Sequence, residues 1–192
     1  MAATYQVILN NGAVDGTPTK TVITNSRFHS SDSNISDILT PVLIDSVARR
    51  SFWKSISLRI NGAFTQVDNI RHYSDGTIGW TLGTAGKLNR GNRDSGDHGC
   101  LEASFEAATG TSGTTGHAID DAVDGHTFYN GQTTKTANVA NDTSGSPATI
   151  STVAITVAGT DSKHIVMQVL TDTDGTQGVQ STETMTWKVD EI

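Results

Sequence analysis

Apolar residues along this chain recur mainly at every second position, in runs too short for helices. The clearest run covers residues 51–60, where Phe52, Ile56, Leu58 and Ile60 fall on one face and Trp53, Ser55, Ser57 and Arg59 on the other. Side chains alternate across a strand, so this pattern predicts a strand with one apolar face. Trp53 points away from that face, where an aromatic meets either a second sheet or a partner subunit. Further strands are expected over residues 5–9, 21–28, 41–44, 67–73, 78–82, 150–157, 164–170 and 182–189, and another over 101–106, where a short helix is the alternative. Turn signals separate them: Asn10, Asn11 and Gly12 after the first run, Asn61 and Gly62 after the fourth, Asp75 and Gly76 further on. Residues 164–170 are apolar on nearly both faces.

Residues 110–149 differ in kind. They are rich in Gly, Thr and Ser, and their large apolar residues, Ile119, Val123, Phe128, Tyr129 and Val139, follow no period. A structureless loop that long is uncommon inside a compact domain, so an exposed functional excursion or contact arm is expected there. The pattern as a whole predicts an all-β chain. It is read as one antiparallel β-sandwich domain over residues 1–192, of the jelly-roll kind, with an excursion at about 110–149.

Composition supports the strands. The chain has 29 Thr, 18 Ser and 19 Gly against only four Glu and six Lys among 192 residues. β-Branched Thr suits a pleated surface, whereas the straight-chain helix formers are scarce. Residues 1–10 have no basic start and no long apolar core, so no signal peptide is expected. No window approaches the roughly 20 apolar residues of a membrane helix. A single cysteine, Cys100, excludes an internal disulfide framework.

Charge is unevenly placed. Residues 49–93 carry a net +6, with Arg49, Arg50 and Arg59 among eight basic residues, and residues 94–192 carry a net −11. The overall −7 argues against a nucleic-acid face. Complementary patches on neighbouring copies would fit the segregation better, with Trp53, Arg49, Arg50 and Arg59 as the expected interface residues.

Candidate chemistry is sparse. His117, Asp120, Asp121, Asp124 and His126 place two imidazoles and three carboxylates within ten residues, a mix able to hold Zn²⁺ or Ca²⁺, although no recognised ligand spacing is matched. The competing reading is a solvated polar loop. Asp172, Asp174, Thr176 and Glu183 partly match a Ca²⁺ loop, but Gln177 stands outside that pattern and a hairpin turn explains the Asp-Gly pair equally well. Asp94, Asp97, His98 and Cys100 lie close together in a Gly-rich segment, looser than a nucleophile requires. Trp53, Trp80, Trp187 and Tyr73 are candidates for a sugar-stacking platform, with burial as the commoner fate of such rings. No phosphate loop or zinc-protease motif occurs, and no catalytic residue is assigned.

Two stretches carry a resemblance. Residues 51–60 (SFWKSISLRI) with 67–76 (VDNIRHYSDG), and residues 164–170 with the closing 182–192 (TETMTWKVDEI), resemble segments of β-sandwich structural proteins of tailed phages and related viruses. The resemblance covers about a quarter of the chain and rests on strand patterns. It implies a non-enzymatic capsid decoration (cement) protein, or a tail component. The partners implied are copies of itself or the major capsid protein, and the location is the virion, after synthesis in a host cytoplasm. The alternatives from other classes are a carbohydrate-binding adhesion module, which would bind a glycan, and a glycan hydrolase with two carboxylates facing across a cleft.

Overall fold

A computed structural model describes residues 2–32 and 40–192 of the chain. Among these, 38% are in strands and 5% in helices, and every strand pair is antiparallel. The protein is all-β, as its alternating pattern predicts.

The large sheet is built on β1 (Ala3–Asn11), β2 (Thr19–Ile23), β4 (Lys54–Gly62), β6 (Lys87–Gly91), β9 (Thr136–Asn138) and β12 (Ile165–Thr171). Its order is β2-β1-β4-β12-β6-β9. Two short pieces complete it: β3 (Arg49–Arg50) pairs β12, and β11 (Thr160–Asp161) pairs β4. A three-stranded sheet has the order β10 (Ala148–Ser151), β5 (Val67–Tyr73), β13 (Thr186–Glu191). A two-stranded ribbon joins β7 (Gly110–Thr111) to β8 (Thr115–Gly116).

The first core lies between the two larger sheets. Ile56, Leu58 and Ile60 of β4, Leu88 of β6, and Ile165, Met167 and Val169 of β12 meet Val67 and Ile70 of β5 and Ala148 and Ile150 of β10. This is a sandwich with one large and one small sheet, a coarser description than the expected jelly roll.

The opposite face of β4 and β12 is also covered. Trp53, just before β4, and Val166 of β12 pack with Cys100, Ile119 and Tyr129 in a second cluster. That cover is supplied in part by the stretch expected to stand off as an exposed arm. Val139 enters the first core, while Ile119, His126 and Tyr129 are all fully buried here, so their part of the 110–149 segment forms a layer of the domain. Its physical reason is the two-sided apolar character of β12: a strand buried on both faces needs something on each.

The layer closes on a glycine. A Cβ on Gly91 would stand 2.4 Å from the Tyr129 ring, so only glycine at the end of β6 lets the ring lie there. A short helix, α1 (Thr127–Asn130), carries Tyr129, whose hydroxyl donates to the His98 carbonyl at 2.8 Å.

The observed strands differ from expectation at several places: residues 24–28, 152–157 and 182–185 fall outside β2, β10 and β13. Within 41–44 only Pro41 makes a bridge, to His29, and residues 33–39 before it lie outside the described residues. Residues 78–82 do not form a strand because their amides bond to side chains instead: Gly79 N–H donates to Glu183 and Thr81 N–H to Gln180. Residues 102–104 take a single 3₁₀ turn, with Ser104 donating to Leu101 and Phe105 to Glu102, both at 2.9 Å. β6 was not anticipated, since Leu88 is the only large apolar side chain in it.

Candidate functional site

The four residues expected at a subunit interface are not gathered on one free surface. Trp53 is 3% exposed, and its Nε1–H donates to the Glu106 carbonyl at 3.1 Å. It is covered within its own chain, by an irregular layer and not by the expected second sheet. Arg49 pairs with Asp45 at 3.0 Å, and this hydrogen-bonded pair holds the Asp45 carboxyl below its usual range. Arg50, beside it in β3, donates its backbone N–H to Thr115 Oγ1 at 3.0 Å, which ties the sheet to the ribbon. Arg59 is at the other end of β4, held by Asp161 through bonds of 2.6 and 3.0 Å. Lys20 joins the same cluster, 2.8 Å from Asp161 and 2.6 Å from Glu102. Burial alone would push the Asp161 carboxyl up, but its bonds to Arg59 and Lys20 hold it down.

The proposed metal residues also disperse. His117 Nδ1 lies 3.1 Å from Thr109 Oγ1 and 3.8 Å from an Asp124 oxygen. Asp121 Oδ1 accepts from the N–H groups of Val123 and Asp124, a local turn that lowers its pKa. Asp120 contributes its backbone carbonyl to Lys135, 3.4 Å away. His126 is inside the protein, among Trp53, Phe128 and Tyr129. Among the described residues no three His, Cys, Asp or Glu side chains converge on a common point suited to a metal, so neither Zn²⁺ nor Ca²⁺ has a built site at 117–126. The second candidate loop is likewise spent on backbone donors: Asp172 accepts from Ala85 N–H, Asp174 from Thr84 N–H and Glu183 from Gly79 N–H.

The segment around Cys100 resolves into structure. Asp94 accepts from the amides of Thr133 and Thr134, Asp97 pairs with Lys163 at 2.8 Å, and His98 Nδ1 accepts from Arg93 N–H. Burial pushes the Cys100 thiol up to about 12, so it carries no thiolate at neutral pH. Burial also pushes His98 down to about 4. A Ser–His contact that no sequence spacing suggested joins Ser55 Oγ to His164 Nδ1 at 3.1 Å. Both residues are buried, and burial holds His164 at about 4, so the pair acts as a neutral crosslink between β4 and the residue that precedes β12.

The aromatic platform does not form a row. Trp80 meets Phe28 edge-on at 6.2 Å, Trp187 stands over buried His72 at 5.1 Å, and both rings pack partly against the first core.

What the surface does offer is an open cleft of about 470 Å³ over the second cluster. Three chain segments build it: Asp15 from the β1–β2 connection, Phe105 and Glu106 after the 3₁₀ turn, and Thr127 and Phe128 at the start of α1. Each carboxylate is fixed by a backbone donor, Ala107 N–H to Asp15 at 2.9 Å and Thr127 N–H to Glu106 at 2.9 Å; the Thr127 hydroxyl also donates to Glu106. Behind Glu106, His126 places Nδ1 3.9 Å from Glu106 Oε1 and has no hydrogen-bond partner on either ring nitrogen. Burial lowers its pKa against the pull of Glu106 and Asp15, which favours the neutral ring. No sequence motif marks this site, because its residues come from three separate stretches spread between Asp15 and Phe128. Comparison with known proteins found no matching family model, no matching curated protein and no matching solved structure.

Proposed function

We infer that this protein is a non-enzymatic structural subunit of a virus particle, a capsid decoration or cement protein that joins copies of itself or the shell beneath. The sequence resemblance supports the virion setting. The observation that carries the assembly role is the state of the sheet edges. β2 bounds the large sheet and β13 the small one, and among the described residues neither has a strand partner on its outer side. Unpaired N–H and C=O groups there offer a ready template for a neighbouring chain. Exposed Lys188 in β13 discourages indiscriminate pairing there, so an edge of this kind suits a specific partner.

Attachment through such edges would be helped by charge. Single exposed ion pairs contribute below about 1 kcal/mol each, but a lattice repeats them many times. Attachment to particles is therefore expected to weaken as salt rises and the Debye length shrinks to about 8 Å. The direct test is stoichiometry in particles purified from a producing lysate on a density gradient. Many copies per particle, released by salt, are the expected result. Recovery only in the soluble fraction would overturn the reading.

A further inference from the structure

β13 bounds the small sheet, and its outer edge meets no strand among the described residues. Its ladder to β5 runs on through Ile192, which exchanges backbone bonds with Gln66. The edge from Thr186 to Ile192 therefore carries unused backbone donors and acceptors on its outer side. Along it the side chains alternate. Trp187 and Val189 turn inward and pack partly against the first core, and Glu191 on the same side accepts from Ala3 N–H and the Tyr5 hydroxyl, each at 2.8 Å. Thr186, Lys188, Asp190 and Ile192 fall on the outward face, and Lys188, Asp190 and Ile192 are exposed.

The two charges on that outward face are held differently. Arg71 donates to one oxygen of Asp190, and Asn69 Nδ2 donates to the other at 2.9 Å. A bulge in β5 brings both donors to the same carboxylate, with Asn69 at φ 47°, a left-handed conformation rare outside glycine but open to asparagine. Asp190 is thus fixed in place while 48% of its side chain remains open to solvent. Lys188 has no such partner. It stands directly across from Arg71, a like charge, and makes no ion pair among the described residues. Water solvates its ammonium, so the consequence is selective: a strand that pairs along this edge without penalty places a carboxylate opposite Lys188 and a cation opposite Asp190.

We propose that the edge of β13 pairs with the same edge of a second copy, antiparallel, about a twofold axis through Val189. Lys188 then faces Asp190 of the second copy, and Asp190 faces Lys188 of the second copy. On the inner side Val189 meets its counterpart and Trp187 meets Glu191 of the second copy. The charges select this register. A slip by two residues sets Lys188 against Lys188 in one direction and Asp190 against Asp190 in the other. The large sheet is compatible with the approach, because β2 borders β1 only over Val7–Asn11, away from Ala3 and Tyr5 beneath Glu191. The result is one sheet continuous through both copies, β10-β5-β13 followed by β13-β5-β10. It deepens the assembly reading above and rests on it for the place of the pair in a particle, whereas the pairing itself is a property of the free chain.

The test is sedimentation equilibrium of the full chain at low salt over a wide range of concentration. Wild type is expected to dimerise reversibly, and less so as salt rises. Lys188→Asp places a carboxylate opposite Arg71 within the chain but sets two carboxylates together at each intermolecular contact. Association should fall at least about tenfold. The double variant Lys188→Asp with Asp190→Lys restores opposite charges in the same register and should recover it. Thermal melts report whether the variants fold. Hydrogen exchange gives the location: amides of β13 should gain protection with concentration in wild type and not in Lys188→Asp. A wild type that stays monomeric, a dimer indifferent to Lys188→Asp, protection that appears away from β13, or no recovery in a folded double variant would each overturn the proposal. If the double variant does not fold, the single variant and the exchange map decide. The two readings fail separately. A monomer that still decorates particles in many copies sinks this contact alone, and a β13 dimer never recovered on particles sinks the virion role alone.

Discussion

The two faces of the central strands β4 and β12 are closed by different means. On one face, aliphatic side chains of two regular sheets interdigitate, and the backbone of each layer is satisfied by its own ladder. On the other, an irregular segment with few strands lies over Trp53 and Val166, and its hold depends on particular polar contacts. Gln168 is one of these: its side-chain nitrogen donates to the carbonyls of Ser51 and His117, each at 2.7 Å, while its oxygen accepts from Ile119 N–H. The first face has a polar tie of its own at its edge, the buried pair Arg90 and Asp142 bonded at 2.5 and 2.8 Å, with Arg90 on the side of β6 that carries Leu88 and Asp142 bonded to Ser74 after β5. Elsewhere the first face depends on area, which tolerates small losses. The second depends on individual groups, each costly to remove.

The largest expected effect follows from the buried ion pair. Asp142→Ala leaves the Arg90 guanidinium buried beside Asn92 without its counter-charge, and chemical denaturation should show a loss of about 3–5 kcal/mol. A loss within error would mean that Arg90 finds water there.

Acid should strike next. His72 lies between the small sheet and Arg90, and burial pushes its pKa down to about 4. The unfolded chain takes up a proton near pH 6.5 and the folded chain refuses it. The resulting contribution, about 3 kcal/mol for a shift of this size, is fully present above pH 6.5 and is lost as pH falls toward 4. His98 and His164 are shifted the same way and steepen the loss. Thermal melts between pH 7 and 4 measure it, and His72→Phe should flatten the curve.

Gln168→Leu sharpens the contrast between the faces. It strands three backbone partners and should cost about 2 kcal/mol. Hydrogen exchange should quicken in the amides of residues 117–130 before those of β4 and β5, since the covering layer would open by itself. Ile165→Val, in the first core, removes one methyl group and should cost only about 1 kcal/mol, with exchange rates raised evenly. Equal patterns for these two variants would erase the distinction drawn here.

Much of this was legible in the chain. The alternation across residues 51–60 and 67–73 corresponds to β4 and β5, and the apolar run at 164–170 to β12, because a half-buried strand must repeat every second residue. The same rule hid β6, whose sequence from Lys87 to Gly91 has a single large apolar side chain. That strand exists because β12 and β9 flank it, Asp142 satisfies Arg90, and Gly91 leaves room for Tyr129. The 110–149 segment misled for a related reason: its buried residues follow no period, since irregular backbone points side chains wherever the underlying surface has room.

The sequence by itself determined the class of structure, the faces of its regular strands, and the absence of an internal disulfide, all properties of neighbours along the chain. The tertiary structure alone decided that Trp53 is covered, that the suspected metal residues part company, and that Asp15, Glu106 and Phe128 meet around one cleft. These depend on contacts between distant positions, for which local spacing carries no signal. A carboxylate at position 15 finds its partner at 106 only after β1 has paired with β4 and the intervening layers have closed.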